Sequence, residues 1–205
     1  MTEPNTVFHD NDISEYLIHL VGKDDSYNQI MSILSAGVIK AKKSFGFKSF
    51  LHKKKSICFS EIPPKYLAKL VKRRSNFGIA FKKQKLLGSG AQRVWYVDKG
   101  SVQHNALNQL YNLSTEDIEH QLEVIFPFID IAGEYENSSY QFQWEREWRL
   151  LGDFCFKPDD VAFLIIPANR HQDARGFFNY AEAENLGPNY QCRYIDPLSL
   201  TETLD

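Results

Sequence analysis

Two carboxylates in the segment Tyr140-Gln-Phe-Gln-Trp-Glu-Arg-Glu-Trp-Arg149 carry the most suggestive chemistry of the chain. Glu145 and Glu147 are one residue apart. On a β-strand that spacing puts both on one face, ~7 Å apart. A strand over Tyr140–Leu151 adds Gln141, Gln143 and Arg149 to the same row. It turns Tyr140, Phe142, Trp144, Arg146, Trp148 and Leu150 the other way, and that mostly aromatic face reads as core. Paired carboxylates suit hydrogen bonding to sugar hydroxyls and stabilisation of a positively charged transition state. An antiparallel sheet with one wet face accounts for the same row without any chemistry.

His19 is a second candidate. It lies in Glu15–Val21 (EYLIHLV), which reads as a first strand, and shares an apolar face with Leu17 and Val21. Such a histidine is commonly a hydrogen-bonded core residue. It also stands just before a helix start, where an anionic ligand is favoured. The third candidate is Cys58-Phe59-Ser60-Glu61, at the end of a short strand over Ser56–Ser60. Ser60 either bonds a ligand or caps the helix that Pro63-Pro64 is expected to open. Phe59 and Tyr66 either stack on a planar ring or fill core. Cys58 has no activating neighbour in sequence and reads as core.

Charge is distributed unevenly. Residues 40–85 hold 15 Lys/Arg and a single acid, Glu61, although the whole chain carries a net charge of −2. A block of this kind attracts phosphates, or is a solvated face that offsets an acidic remainder. Phe45, Phe47 and Phe50 are interleaved in its basic loop, where aromatic rings can stack on bases.

The elements that must position these residues follow from period and punctuation. Ser26-Tyr-Asn-Gln29 has the pattern of a capping box, and Gly37 supplies a stop, so a helix is expected over Tyr27–Ala36. Further β-like runs are Phe77–Phe81, Arg93–Val97 and Val161–Ile166; helices are expected from Ser114 to Phe126 and over part of Arg170–Glu184. The pattern is α+β. At 205 residues the chain fits a single domain, 1–205, with 1–12 as a flexible N-terminus that is too polar and acidic for a signal peptide. No apolar run reaches the ~18 residues of a membrane span. Cys58, Cys155 and Cys192 form no CxxC pair, so a reducing, cytoplasmic setting is the expectation. The chain lacks GxGxxG, GxxxxGK[ST], HExxH and GxSxG, which disfavours Rossmann dehydrogenases, P-loop NTPases, zincins and α/β-hydrolases. No acid cluster with metal-ligand spacing stands outside Glu145 and Glu147, so no metal site is expected.

Four segments, Ile33-Leu-Ser-Ala-Gly-Val-Ile39, Ile57-Cys-Phe-Ser-Glu-Ile-Pro63, Phe77-Gly-Ile-Ala-Phe-Lys-Lys83 and Trp144-Glu-Arg-Glu-Trp-Arg149, together resemble the AbiGi-type abortive phage resistance family. The likeness covers most of residues 13–170. The order of elements also resembles the ADP-ribosyltransferase fold, in particular its DarT-like DNA-modifying branch. That resemblance implies short strands in a split antiparallel sheet with flanking helices. It implies NAD as substrate, with His19 on a ribose and with Phe59, Ser60 and Tyr66 around the nicotinamide. By the same resemblance Glu147 is the catalytic acid and Glu145 its partner. The chain departs from that branch at Leu20 and Glu61, where a Gly and a small hydroxyl residue are usual. Lys42, Lys43, Lys53, Lys54, Lys55, Arg73 and Arg74 are then the expected nucleic-acid contacts. The function implied is a phage-defence protein with an NAD-dependent ADP-ribosyltransferase-like domain acting on nucleic acid. The alternative is a catalytically inactive antitoxin or binding module of the same fold, holding a toxin or antitoxin partner or nucleic acid.

Overall fold

The protein is described here by a computed structural model covering residues 13–49, 53–62, 66–132 and 142–199. The expected N-terminal segment 1–12, Pro63-Pro64 and the first residues of Tyr140–Leu151 lie outside the described residues.

The central sheet is built around β5 (Gly78–Lys82), whose first four residues are buried on both faces. An unbroken apolar run of this kind belongs in the middle of a sheet. On one side β5 pairs with β11 (Val161–Ile165), and β11 with β12 (Arg193–Ile195). On the other side it pairs with β1 (Tyr16–Leu20), followed by β4 (Lys55–Ser60), β9 (Glu147–Leu151) and β6 (Gln92–Arg93). β3 (Lys43–Ser44) adds to the start of β4. Two ribbons stand apart: β2 (Val38–Ile39) with β10 (Phe154–Cys155), and β7 (Trp95–Asp98) with β8 (Ile129–Ala132). The α+β class read from the sequence is what forms. The central sheet is not wholly antiparallel, because β11 and β12 run parallel, as do β7 and β8 in their separate ribbon.

The sheet is covered on both faces. α1 (Ser26–Ala36) buries Ile30, Met31 and Leu34 on one face, together with Ala174 and Phe178 of a helix over His171–Ala183. On the other face α2 (Leu67–Arg73) buries Leu67, Leu70 and Val71 against Ile18, Ala80 and Phe163. A short α3 (Lys83–Gly88) follows β5. α4 (Val102–Asn112) and α5 (Glu116–Ile125) sit beside the β7–β8 ribbon over a small core of their own, formed by Phe47, Val97, Leu122, Phe126 and Ile129. The His171–Ala183 helix is α6.

Two local expectations change. The capping box at Ser26 does not form. Asp25 occupies the N-cap with φ 52°, and Ser26 instead donates to the carbonyls of Gly22 (2.6 Å) and Lys23 (2.8 Å). Gln29 turns back to accept from the Gly22 amide at 3.3 Å, so both side chains stitch the β1–α1 loop. At the other end Gly37 adopts φ 61° as expected, and a Cβ there would come 2.9 Å from the Phe156 carbonyl. The long strand over Tyr140–Leu151 is also shorter. Phe142–Glu145 forms a 3-10 turn and Arg146 has φ 45°, so extended structure begins only at Glu147. A left-handed residue interrupts the pleat, which separates Glu145 from the face of Glu147.

Candidate functional site

The site arises where the sheet parts. β1 and β5 stay in register from Tyr16 opposite Lys82 to Leu20 opposite Gly78. β1 and β4 meet only at Ile18 opposite Ser60, and then diverge. A cleft of 1090 Å³ opens along that split, and α1 and the segment after Gly37 contribute to its walls. Every residue from Ile18 to Gly22 and from Ser56 to Ser60 lines it. Pleat alternation turns the Phe59 ring into the core, 1% exposed and edge-on to Phe81 and Phe154, although the residue borders the cleft. His19, Ser60 and Glu147, which also border it, are only partly buried.

β9 lies against β4 with Glu147 opposite Ser60 and Arg149 opposite Cys58. The early histidine strand and the late acidic strand thus flank β4 rather than each other. Glu147 accepts from Arg149 Nε at 2.8 Å and from the Tyr96 hydroxyl. Arg149 is wholly buried. Its two other nitrogens reach the Pro127 carbonyl (2.8 Å) and Asp130 (2.6 Å), and its guanidinium lies 5.2 Å from the Phe45 ring centre. Burial pulls the Arg149 pKa down, but the ion pair and hydrogen bond with Glu147 outweigh it and hold it above its ordinary value. Burial and the Glu147 charge push the Tyr96 hydroxyl well above the usual phenol range, so it stays a donor. Both effects also raise the Cys58 thiol, which is consequently inert as a nucleophile.

Glu145 reaches the cleft by another route. Left behind by the Arg146 kink, it is buried and pairs with Arg74 at 3.2 Å, and both residues line the cleft. Trp144, just before it, is held between Lys69 (4.7 Å) and Arg73 (5.8 Å) of α2.

His19 spans the split. Its Nδ1 lies 3.0 Å from the Cys58 carbonyl, and a carbonyl only accepts, so Nδ1 carries the proton. Nε2 of the neutral ring is then left as an acceptor. Part of the residue stays open to the cleft, while burial of the ring lowers the pKa against the opposing pull of the Cys58 bond. The unfolded chain, near 6.5, therefore binds the proton first. This contribution to stability is complete above about pH 6.5 and is lost as pH falls toward the depressed folded value. Urea unfolding of His19→Gln is expected to show a shallower loss of stability than wild type from about pH 7.5 to 5.5. An equal slope in both proteins would remove His19 from the acid response.

The remaining sequence candidates divide. Lys42 and Lys43 line the cleft beside Phe45. Lys53 and Lys55 are exposed, and Lys54 lies 3.9 Å from Glu123 of α5, away from the cleft residues. Arg73 is exposed on α2. Tyr66 is not a cleft residue: it is half exposed at the N-cap of α2, a helix packed on the opposite face of the sheet. Phe47 cannot stack on a base, being buried in the core beneath α4 and α5, and Phe50 lies outside the described residues. Tyr96 and Asp130, which hold the Glu147–Arg149 pair, carry no local signal, since they act across 51 and 19 residues. Among the described residues no cluster of His, Cys, Asp and Glu has the arrangement to hold a metal, and no helix is long and apolar enough to cross a membrane.

No curated protein and no solved structure matches this chain. A family does match over residues 41–180, which take in β3 to most of α6 and so the β4 and β9 side of the cleft, but not β1 or α1. The AbiGi likeness read from the four sequence segments is thereby borne out over most of its span. This chain belongs to the AbiGi family of abortive phage resistance proteins, described as antitoxins.

Proposed function

We propose that this phage-defence protein binds NAD+ in the cleft between β1 and β4 and transfers ADP-ribose from it. The observation that carries the reading is that His19 of β1, Ser60 of β4 and Glu147 of β9, from three neighbouring strands, wall a single cleft. Its 1090 Å³ is ample for a dinucleotide. In this reading His19 Nε2 accepts from a ribose hydroxyl, and the pyrophosphate lies near Lys42 and Lys43. The nicotinamide lies against Ser60 at the end of β4. The nicotinamide ribose displaces the Tyr96 hydroxyl from Glu147, whose carboxylate then faces the anomeric carbon's ring. As the C–N glycosidic bond breaks, its electron pair leaves with nicotinamide and positive charge grows on the ribose. Glu147 stabilises that charge more than it stabilises the ground state. A nucleophile, for which the cations at the cleft make nucleic acid a fitting source, closes the new bond to the anomeric carbon and gives up a proton.

Purified protein incubated with NAD+, with and without DNA or RNA, should release nicotinamide. Glu147→Gln should slow release by about a hundredfold or more while NAD+ still binds by calorimetry. Absence of NAD+ binding by the wild type would remove this reading. The second reading is a binding module without catalysis, whose partner would be the toxin that an antitoxin restrains. It is favoured by one observation: both oxygens of Glu147 are already occupied, by Arg149 and Tyr96.

A further inference from the structure

The unit formed by β7, α4, α5 and β8 has an unusual outside. No residue of α4 is buried. Its inner side rests on the small core through the partly buried Leu107 and Tyr111 and through His104, whose ring meets Phe47 edge-on. Its outer side carries Val102, Ala106, Leu110 and the C-cap Leu113, at helical spacing. Val102, Leu110 and Leu113 are 80%, 47% and 81% exposed. α5 adds exposed Ile118, Val124 and Ile125. A surface so rich in aliphatic groups is costly to leave in water and marks an interaction site.

Its charge says what kind. Between residues 102 and 125, which hold both helices, the sequence has four Asp/Glu and no Lys or Arg. Glu116, Asp117 and Glu119, in the first turn of α5, are all exposed just past Leu113. Such a surface repels nucleic-acid phosphates and anionic headgroups alike. We infer that the outer face of α4 and α5 is a docking surface for a protein whose contact patch is aliphatic and ringed by lysine and arginine. A second copy of this chain fits less well. Its basic block, residues 40–85, offers the right charge but, among the described residues, only Tyr66 as a large exposed apolar group. The inference is independent of what the cleft binds.

The test uses the full chain and a fluorescein-labelled amphipathic helical peptide of leucine and lysine, with a leucine–glutamate peptide of identical pattern as control. Fluorescence anisotropy is expected to show binding of the lysine peptide only, weakening as salt rises. The Leu110→Ser/Leu113→Ser variant should bind at least about tenfold more weakly. Glu116→Lys/Asp117→Lys should also bind more weakly, with a smaller salt dependence. Lys42→Ala/Lys43→Ala, at the cleft, should bind as wild type does. Equal binding of both peptides, or undiminished binding by the Leu110/Leu113 variant, would overturn the inference. So would a wild-type dimer in sedimentation that the same variant turns into monomer, since that would make the occupant a second copy.

Discussion

Replacing Arg149 with methionine is expected to lower the unfolding free energy by about 3–5 kcal/mol. The side chain is wholly enclosed and its nitrogens are shared among Glu147, Asp130 and the Pro127 carbonyl. Methionine fills much of the volume, so the loss is not chiefly a cavity. What remains is a pair of inward-facing carboxylates without their common counter-charge and a carbonyl without its donor. Arg149→Lys should recover only part of the loss, because a single ammonium cannot reproduce a planar fork aimed at three acceptors. In a chain of this size the methionine change should lower the melting midpoint by on the order of 10 °C. Hydrogen exchange gives the sharper reading. Arg149 joins β9 of the main sheet to β8 and the turn before it, so amides of β7, β8, α4 and α5 should lose protection before those of β5 and β11. A variant with wild-type stability and unchanged exchange in that unit would show that the guanidinium holds nothing together.

Much of the fold was legible because it rests on local rules. The apolar runs of β5 and β11 and the glycine stop at Gly37 each need only a short window of sequence, and each forms within a residue or two of its expected bounds; α6 falls inside the Arg170–Glu184 window expected to be helical in part. What local rules missed were choices made by distant partners. Ser26 and Gln29 have the residue types of a capping box, yet they turn to the β1–α1 loop because Asp25 enters the helix left-handed. Glu145 and Glu147 have strand spacing, yet Arg146 breaks the pleat, and Glu145 is drawn to Arg74. Their gathering at one cleft follows from the place of β9 beside β4, and pairing of elements nearly ninety residues apart leaves no local mark. The split itself is a matter of register. β1 keeps five pairs with β5 but leaves β4 after one, and no residue of Tyr16–Leu20 marks that difference in the sequence.

The second large effect is expected at Glu61, the only acid among residues 40–85. In a run of cations a lone carboxylate is where pairing must concentrate, and Glu61 is entirely buried. It accepts from Lys83 Nζ, from Arg93 Nη2 at 2.8 Å and from Trp148 Nε1 at 2.9 Å. These donors come from α3, β6 and β9, so one side chain fastens three elements around the end of β4. Glu61→Ala is expected to cost about 3–5 kcal/mol. Most of that comes from stranding the indole N–H and the mostly buried Lys83 ammonium, since Arg93 is more than half exposed and can turn to water. Glu61→Gln should cost less, because its amide oxygen still accepts, but its NH2 now faces donors. A double-mutant cycle separates pairing from packing. If Lys83→Ala in the Glu61→Ala background is far milder than in wild type, by about 1–3 kcal/mol, the carboxylate is the counter-charge of Lys83. If the two losses simply add, burial of Glu61 has another cause, and the acid within the basic block is no hub.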